Sequence, residues 1–516
     1  MSVALKIESN HLIDYLHTIA NSSAKVSADS RQIHSGDIFF AYPVGHGNVL
    51  RDGRPFIEAA LESGAAAVVF DPADSGAQYI DHPQCIAIDN LAAIAGDLCA
   101  KWYDYPSRQL KMIGVTGTNG KTSITQWLAQ ALYEPNHRTA VLGTLGTGFP
   151  GALVQTGYTT PDAPKLQTQL KELLDAGAKQ VAMEVSSHAL DQDRVTGTQF
   201  NCAVFTNLTQ DHLDYHSSMA DYAEAKAKLF QQAGLEHAVI NLDDAFGREL
   251  AAKLLSKGDI KVWVYTLRQE ALKGFEKFGD RLQRIYAKDS VLNGVGYDSI
   301  FTHEGIGANT LHIPLLGDFN LSNALAVWTV LLTQGYTCDE ASKRVSHLRP
   351  VIGRMELIQL GKHPKSDGLM VIVDYAHTPD ALEKTLLAIK PIAEQRGGKI
   401  WCVFGCGGDR DMGKRPQMGA AAQKYADQII ITSDNPRSED PQAIIDMIRR
   451  GTNQEAANVQ PIVDRAAAIM AAVRHAGERD IVLVAGKGHE TTQEINGKKF
   501  DFSDQEHILL AAGGMA

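Results

Sequence analysis

The chain has 516 residues, too long for one ordinary core, and its length predicts three domains. A hydrophobic fraction of 44% with 21% charged residues is that of a soluble globular protein, and the absence of any apolar run of transmembrane length predicts no membrane partner. A formal charge of −11 excludes generic nucleic-acid binding, which needs a basic footprint, but leaves open a polyphosphate ligand held by a local nest of N–H groups.

Residues 1–108 read as a first unit of mixed short strands and helices. Lys6, Glu8 and Asp14 interrupt the apolar core that a signal peptide needs, so a cytoplasmic protein is expected. The informative stretches are Ser27-Ala-Asp-Ser30-Arg31, the apolar run 36–41, and the loop 45–53 that carries His46. By themselves these residues read equally well as hydrophilic surface turns. Tyr105-Pro106-Ser107 reads as a linker.

The second unit spans 109–349. Residues 112–115 are a short buried strand, Thr116-Gly117-Thr118-Asn119-Gly120-Lys121-Thr122-Ser123 turns the chain, and Ile124, Trp127, Leu128 and Ala131 recur at helical spacing. Strand, glycine-rich loop and helix in this order wrap backbone N–H groups around phosphate oxygens; Lys121 reaches the β/γ-phosphates and Thr122 offers a hydroxyl to magnesium. Val115 stands where the strict Walker pattern has its first glycine, so that pattern is met in part. Thr159-Thr160-Pro161-Asp162 is a turn with adjacent hydroxyls. The strand 181–185 carries Glu184, a carboxylate costly to bury without a cation and hence a magnesium-ligand candidate, and it empties into Ser186-Ser187-His188. A further strand over 201–207 ends at a polar cluster containing Asp211, His212 and His216. A helix over 218–232 opens with a Ser218-x-x-Asp221 capping box, and the spacing of Tyr222, Lys226 and Phe230 turns a lysine inward. Residues 260–315 suggest a small set of more exposed strands, and Gly317 opens the last helix of the unit.

The third unit, 350–516, shows four apolar runs that read as parallel strands separated by helices: 370–373, 400–404, 429–432 and 481–484. Each is followed at once by a polar cluster: Asp374-Tyr-Ala-His377, Gly405-Cys-Gly-Gly-Asp-Arg410, Ser433-Asp434-Asn435-Pro436-Arg437 and Gly486-Lys-Gly-His-Glu490. Ligands of open parallel sheets bind outside the carboxyl ends of the strands, so these loops should share one rim and one site. Gly405-Cys-Gly-Gly is no dinucleotide fingerprint, because Arg410 takes the third glycine position. Of the six cysteines only Cys402 and Cys406 are close in sequence, without a second pair for zinc, and reduced thiols are expected.

Together and in this order the segments resemble the ATP-dependent Mur ligases over essentially the whole chain. The markers are Thr-Gly-Thr-Asn-Gly-Lys-Thr at 116–122, Thr-Thr-Pro at 159–161, Glu-Val-Ser-Ser-His at 184–188, Thr-Asn-Leu-Thr-Gln-Asp-His-Leu-Asp-Tyr-His at 206–216, Gly-Arg-Met-Glu at 353–356 and the four C-terminal loops. The resemblance implies an α/β fold of three domains, with a central P-loop ATPase-like parallel sheet and a C-terminal Rossmann-like doubly wound sheet. It implies a monomeric ligase, with ATP and Mg2+, that adds meso-2,6-diaminopimelate to the D-glutamate of UDP-N-acetylmuramoyl-L-alanyl-D-glutamate through an acyl phosphate. Ser30, His46, Thr159, Thr160, Ser186, Gln192 and Arg194 would hold the UDP-dipeptide. Residues 117–123 would hold ATP, with Asn323, Arg354 and Asp374 near its base or ribose. Thr122, Glu184, His212 and Lys226 would surround the metals, Lys226 as a carbamate in the context Tyr222-Ala-Glu-Ala-Lys226, and Lys228 would face solvent. Arg410, Asp434, Asn435, Pro436, Arg437, Gly486 and Glu490 would hold the diaminopimelate. Lysine-adding relatives generally lack an arginine at the position of Arg437, which favours diaminopimelate over the lysine-adding counterpart, the first alternative. Others are a folylpolyglutamate synthase-like ligase, which lacks the domain that 1–108 supplies, a simple P-loop NTPase or kinase, and a nucleotide-binding regulator.

Overall fold

The structure, a computed structural model, describes residues 9–45, 50–213, 215–258, 260–276, 278–360, 368–453 and 456–513. Three main sheets follow one another along the chain, and the fold is α/β in three domains as expected. The first sheet has four parallel strands, in the order Val26–Ser27, Ile38–Ala41, Ala67–Phe70, Cys85–Ala87. Tyr105-Pro106-Ser107 is more than a linker. Pro106–Arg108 winds into a 3-10 turn, and the buried Ser107 hydroxyl accepts the Gln199 N–H at 3.1 Å, which locks the first unit onto the second.

Among the described residues the central sheet has eleven strands. Arg138–Gly143, Ala178–Glu184, Lys111–Thr116, Cys202–Phe205, His237–Asn241, Lys261–Thr266 and Leu282–Asn293 pair in that order, all parallel. Antiparallel strands extend both edges: Gly146–Phe149 with Ala152–Val154 on one, Gly296–His303 with Gly307–Ile313 on the other. Lys261–Thr266 was expected among exposed strands, but Val262, Val264 and Tyr265 are fully buried. The strand sits inside the parallel sheet with both faces covered, where alternation gives way to a continuous apolar run. The helix Asp318–Thr333 follows Gly317 as expected, and its buried residues cover its whole circumference because it lies between the sheet and its neighbours. It is not the last of the unit. Cys338–Val345 follows, with a reciprocal capping box between Thr337 and Glu340. The predicted Ser218 cap forms on one side: its hydroxyl accepts the Asp221 N–H at 3.1 Å but donates to the Asp221 carboxylate at 2.9 Å.

The third sheet contains the four predicted parallel strands in the order Met370–Asp374, Ile481–Ala485, Ile400–Phe404, Gln428–Ile431. Two short edge strands unnoticed in the sequence complete it, Glu356–Leu357 antiparallel and Val459–Pro461 parallel. Successive side chains alternate between two cores. Ile372, Cys402 and Leu483 meet the helices Pro379–Arg396, Lys414–Tyr425 and Pro441–Arg449, while Val371, Val403 and Val482 meet Arg465–His475 and Asp504–Ala511. Behind the rim, the fully buried Arg465 forms a bidentate pair with Asp504, both bonds 2.7 Å, and also donates to the carbonyls of Ala485 and Ser433, at 3.0 and 3.4 Å.

Candidate active site

The strand Lys111–Thr116 turns at 117–120 directly into the helix Lys121–Ala131. Gly117 and Gly120 have φ of +147° and +91°, and a Cβ there would lie 1.9 Å from Thr206 Oγ1 and 2.7 Å from Asn323 Oδ1, so only glycine fits. The loop is pinned by the end of the neighbouring strand: the Thr118 N–H donates to the Asn207 carbonyl at 2.8 Å, the Asn119 N–H to Asn207 Oδ1 at 3.0 Å, and the Thr206 hydroxyl to the Asn119 carbonyl at 2.6 Å.

The loop opens on a cleft of about 620 Å³ between the central and C-terminal sheets. Residues 118–123, Thr159, Glu184, His212, Asn323, Arg354 and Asp374 line it; Gly117 and Lys226 lie just behind. Two contacts already cross the cleft, Arg354 Nη2 to Thr122 Oγ1 at 3.3 Å and Asn119 Nδ2 to Asp380 Oδ2 at 3.5 Å. The Arg354 guanidinium stacks 4.3 Å over the Tyr375 ring, and buried Asp374 accepts the N–H groups of Met355 and Ala376 at 2.8 and 2.9 Å. Burial pushes the Asp374 carboxyl above the usual range against the pull of Arg354.

Two lysines converge on the loop. Lys121 Nζ donates to the carbonyls of Gly117 and Thr118, both at 2.9 Å, and burial lowers its pKa against the attraction of Glu184 and Asp211. Lys226, 1% exposed, donates to the same Gly117 carbonyl at 2.9 Å and lies 4.2 Å over the Tyr222 ring. Burial first, then the repulsion of Lys121, drives its pKa well below the ordinary lysine value. Lys228 is not simply solvated: its half-exposed side chain reaches Asp191 at 3.3 Å.

Glu184 is 1% exposed and accepts from the Thr144 N–H at 2.9 Å, the Thr122 hydroxyl at 2.9 Å and the Thr144 hydroxyl at 3.2 Å. Among the described residues no cation pairs with it. A buried carboxylate held only by neutral donors, beside a second hard oxygen on Thr122, suits a hard divalent cation. His212 takes φ +55° and its ring meets Tyr222 edge-on at 6.0 Å, so the four predicted metal residues fall into two pairs, Thr122 with Glu184, and His212 with Lys226 around Tyr222. Among the described residues no three His, Cys, Asp or Glu side chains are placed to hold a metal ion. Lys226 as an ammonium does not fit such a ligand set; as a carbamate it would.

The residues expected for the dipeptide form one network. Thr159 Oγ1 meets Thr144 Oγ1 at 3.0 Å, Thr160 accepts the Ser186 N–H at 3.1 Å, and Arg194 donates to Gln192 Oε1 and to the Thr160 carbonyl at 3.0 Å. Tyr42 and Arg51 of the first unit lie within electrostatic reach of Arg194, so the network faces that unit. Ser30 starts a short 3-10 turn there, while His46 lies outside the described residues.

The C-terminal loops do share a rim. Arg437 takes φ +50° and donates to the Gly408 carbonyl at 2.8 Å, with Glu494 3.6 Å away. Arg410 is exposed beside Asp409. Asn435 Nδ2 donates to Glu490 Oε2 at 2.8 Å, Pro436 is buried, and Gly486, at φ +116°, leaves room for the Asp434 carboxylate. The sequence reading missed Thr144, Asn207, Tyr375 and Lys487 as site residues. All four stand just past strand ends, the position that identified their neighbours; which side chains there turn into the site was not visible in the sequence.

The Mur ligase middle domain matches residues 115–331, and the Mur ligase glutamate ligase domain matches 353–488. The chain belongs to the Mur ligase family. A relative from Ralstonia nicotianae, UDP-N-acetylmuramoyl-L-alanyl-D-glutamate--2,6-diaminopimelate ligase, is 50% identical over 507 residues, covering 97% of this chain and 95% of its own. One of the same name from Janthinobacterium sp. is 44% identical over 518 residues, 99% of this chain and 98% of its own. A solved structure of a protein of that name superimposes with a TM-score of 0.64 at 34% identity, over 97% of this chain and 98% of that one. As a Mur ligase the chain is an ATP-dependent, ADP-forming enzyme, and the glycine-rich loop and four C-terminal loops are parts of a ligase rather than of a kinase or a sensor.

Proposed function

We propose that this Mur ligase joins meso-2,6-diaminopimelate to the D-glutamate of UDP-N-acetylmuramoyl-L-alanyl-D-glutamate, as a cytoplasmic monomer in peptidoglycan precursor synthesis. Residues 1–108 hold the uridine diphosphate end, 109–349 hold ATP and the dipeptide, and 350–516 hold the incoming amino acid. The observation that carries the choice of amino acid is the presence of Arg437 and Glu490 on one rim, both within electrostatic reach of Tyr375. Diaminopimelate ends in an ammonium and a carboxylate, and a planar guanidinium holds a carboxylate by two parallel bonds. Lysine ends in an ammonium alone, which Arg437 repels.

A carboxylate is a poor acyl donor, so the glutamate carboxylate first takes the γ-phosphoryl of ATP and ADP leaves. The amine of diaminopimelate then attacks the acyl carbon, the C–O bond to phosphate breaks, and the amide forms with loss of a proton. In the first step two anions meet. Lys121, released from its own loop carbonyls, neutralises the transferring group, and the N–H groups of 120–122, which the loop's own bonds to Asn207 leave available, hold the phosphates behind it. Mg2+, when bound near Thr122 and Glu184, adds positive charge at the phosphoryl oxygens. Arg194, Gln192, Ser186 and the two threonines at 159 and 160 fix the dipeptide so that its carboxylate faces the loop.

Lys226 works here as a carbamate. Its buried amine lacks a carboxylate partner among the described residues, shares an acceptor with the Lys121 ammonium, and has its pKa pushed well below the ordinary lysine value by burial. The neutral amine attacks carbon dioxide, an N–C bond forms, a proton leaves, and the tip becomes a hard oxygen ligand.

The test is ADP release with the UDP-dipeptide and a panel of amino acids. Release that requires the dipeptide and an amine, with diaminopimelate far ahead of lysine, is the expected result. Release without any acceptor, or lysine used preferentially, overturns the reading.

A further inference from the structure

The Gly486-Lys-Gly-His-Glu490 loop buries a charge that the ligation chemistry leaves unused. Lys487 is 0% exposed, whereas the Glu490 side chain three residues on is 32% exposed at the rim. Lys487 Nζ donates to the Thr492 carbonyl at 2.6 Å, to Glu490 Oε2 at 3.0 Å and to Asn435 Oδ1 at 3.3 Å. Asn435 Nδ2 donates to the same Glu490 Oε2 at 2.8 Å. One carboxylate oxygen is thus held by two protein donors, and among the described residues no donor holds Oε1.

We infer that Lys487 is a positioning and specificity-determining residue that makes the amino-acid pocket reject a lone ammonium and accept a zwitterionic end. The inference rests on the assignment of this rim to diaminopimelate. Fixing Oε2 from behind aims Oε1 at the ligand. The buried cation also cancels much of the attraction that Glu490 would offer a ligand ammonium, and burial keeps water from screening it. A side chain ending in an ammonium alone therefore meets Lys487 and Arg437 with no anion of its own. A distal ammonium paired with a carboxylate meets no such net repulsion, because its carboxylate is drawn to the same two cations. Lysine and diaminopimelate share the distal ammonium, so what Lys487 discriminates is the accompanying carboxylate.

The experiment compares kcat and KM for diaminopimelate, lysine and norleucine, whose end is uncharged, in the wild type and in Lys487→Gln and Lys487→Arg. In the wild type, norleucine should be used better than lysine despite making no polar contact at the rim. Lys487→Gln should lower the diaminopimelate-to-lysine ratio of kcat/KM by about tenfold or more, mostly through a lower KM for lysine, with KM for ATP unchanged. Lys487→Arg, which keeps the cation, should retain the wild-type ratio. Equal losses for both amino acids in Lys487→Gln, or the same shift in Lys487→Arg, would reduce Lys487 to a structural role and overturn the inference. If Lys487→Gln fails to fold, the wild-type comparison still decides: lysine used better than norleucine overturns it. Failure of the wild type to use diaminopimelate at all would instead sink the functional assignment beneath it.

Discussion

Lys121 and Lys226 share one acceptor: each ammonium donates to the Gly117 carbonyl at 2.9 Å. Burial first, and then the repulsion of two cations on one oxygen, push the Lys226 pKa well below the ordinary lysine value. Lys226→Ala is expected to lower ligation by about 10²-fold or more, with partial recovery on adding a short carboxylic acid that supplies the missing anion. Lys228→Ala should change turnover little. Full activity of Lys226→Ala in bicarbonate-free buffer would refute the carbamate.

Arg437 is held in a left-handed conformation by backbone bonds, from its N–H to the Glu494 carbonyl at 3.0 Å and to its carbonyl from the Asn496 N–H at 2.7 Å. That conformation costs energy for a side chain of this size and is retained because it aims the guanidinium along the rim. A charge-assisted bond contributes roughly 1.5–3 kcal/mol, so Arg437→Ala should lower kcat/KM for diaminopimelate by about 10- to 100-fold. Steady-state kinetics with unchanged KM for ATP checks it; unaltered use of diaminopimelate would remove Arg437 from the pocket.

The C-terminal unit is expected to rotate when substrates bind. Arg349 is clamped to the central unit, its carbonyl accepting Trp127 Nε1 at 2.9 Å and its N–H donating to Gln130 Oε1 at 3.0 Å. Gly353 is clamped to the other side, where a Cβ would lie 2.2 Å from the His489 nitrogen. The bend is expected just past Val351, which is buried in the core of the central unit, at the exposed Ile352, and closure excludes water from a hydrolysable acyl phosphate. Small-angle scattering should show contraction with an ATP analogue and the dipeptide. Superimposable profiles with and without ligands would count against it.

His489 packs against the Tyr375 ring with centroids 5.1 Å apart, and its Nδ1 is buried without a hydrogen-bond partner among the described residues. Burial, with Arg354 and Lys487 adding repulsion, depresses its pKa from 6.5 to about 4. The unfolded chain therefore binds the extra proton first as pH falls. Stability is full above about pH 6.5, declines below it, and levels off near pH 4, for a loss of order 3 kcal/mol from this group. Urea unfolding at pH 7 and pH 4.5 should show a smaller decline for His489→Gln than for the wild type; equal declines would contradict the assignment.

Strands that are buried on both faces and end in polar clusters were legible in the sequence, which is why the glycine-rich loop at 116–122 and all four C-terminal loops could be placed. The two-residue strand Glu356–Leu357 is too short for any period to register, and Val459–Pro461 ends in a proline that argues against a strand. Lys261–Thr266 alternates aromatic and aliphatic residues like a half-exposed strand, and only its parallel neighbours reveal that both faces are covered. Within the site, Lys226 was visible because it interrupts an apolar helical face. Lys487 was not: it lies between two glycines in a polar loop, where nothing local distinguishes a buried lysine from a solvated one. Thr122 and Glu184 were grouped by the family resemblance, but the bonds that Thr144 makes to Glu184 were hidden, since they join the ends of two strands far apart in sequence.

The clamp that Arg465 forms with Asp504 carries a consequence for the order in which the enzyme comes into being. A ribosome completes the nucleotide loop at 116–122 early, but the side chain that anchors Arg465, and through it the carbonyls of Ser433 and Ala485, arrives only with the helix Asp504–Ala511. A nascent or prematurely terminated chain that stops short of Asp504 thus carries its phosphate cradle while the acceptor pocket is still without its keystone. Such a fragment is expected to lose order at the C-terminal rim before it loses the nucleotide loop, because the buried Arg465 charge would stand without its carboxylate.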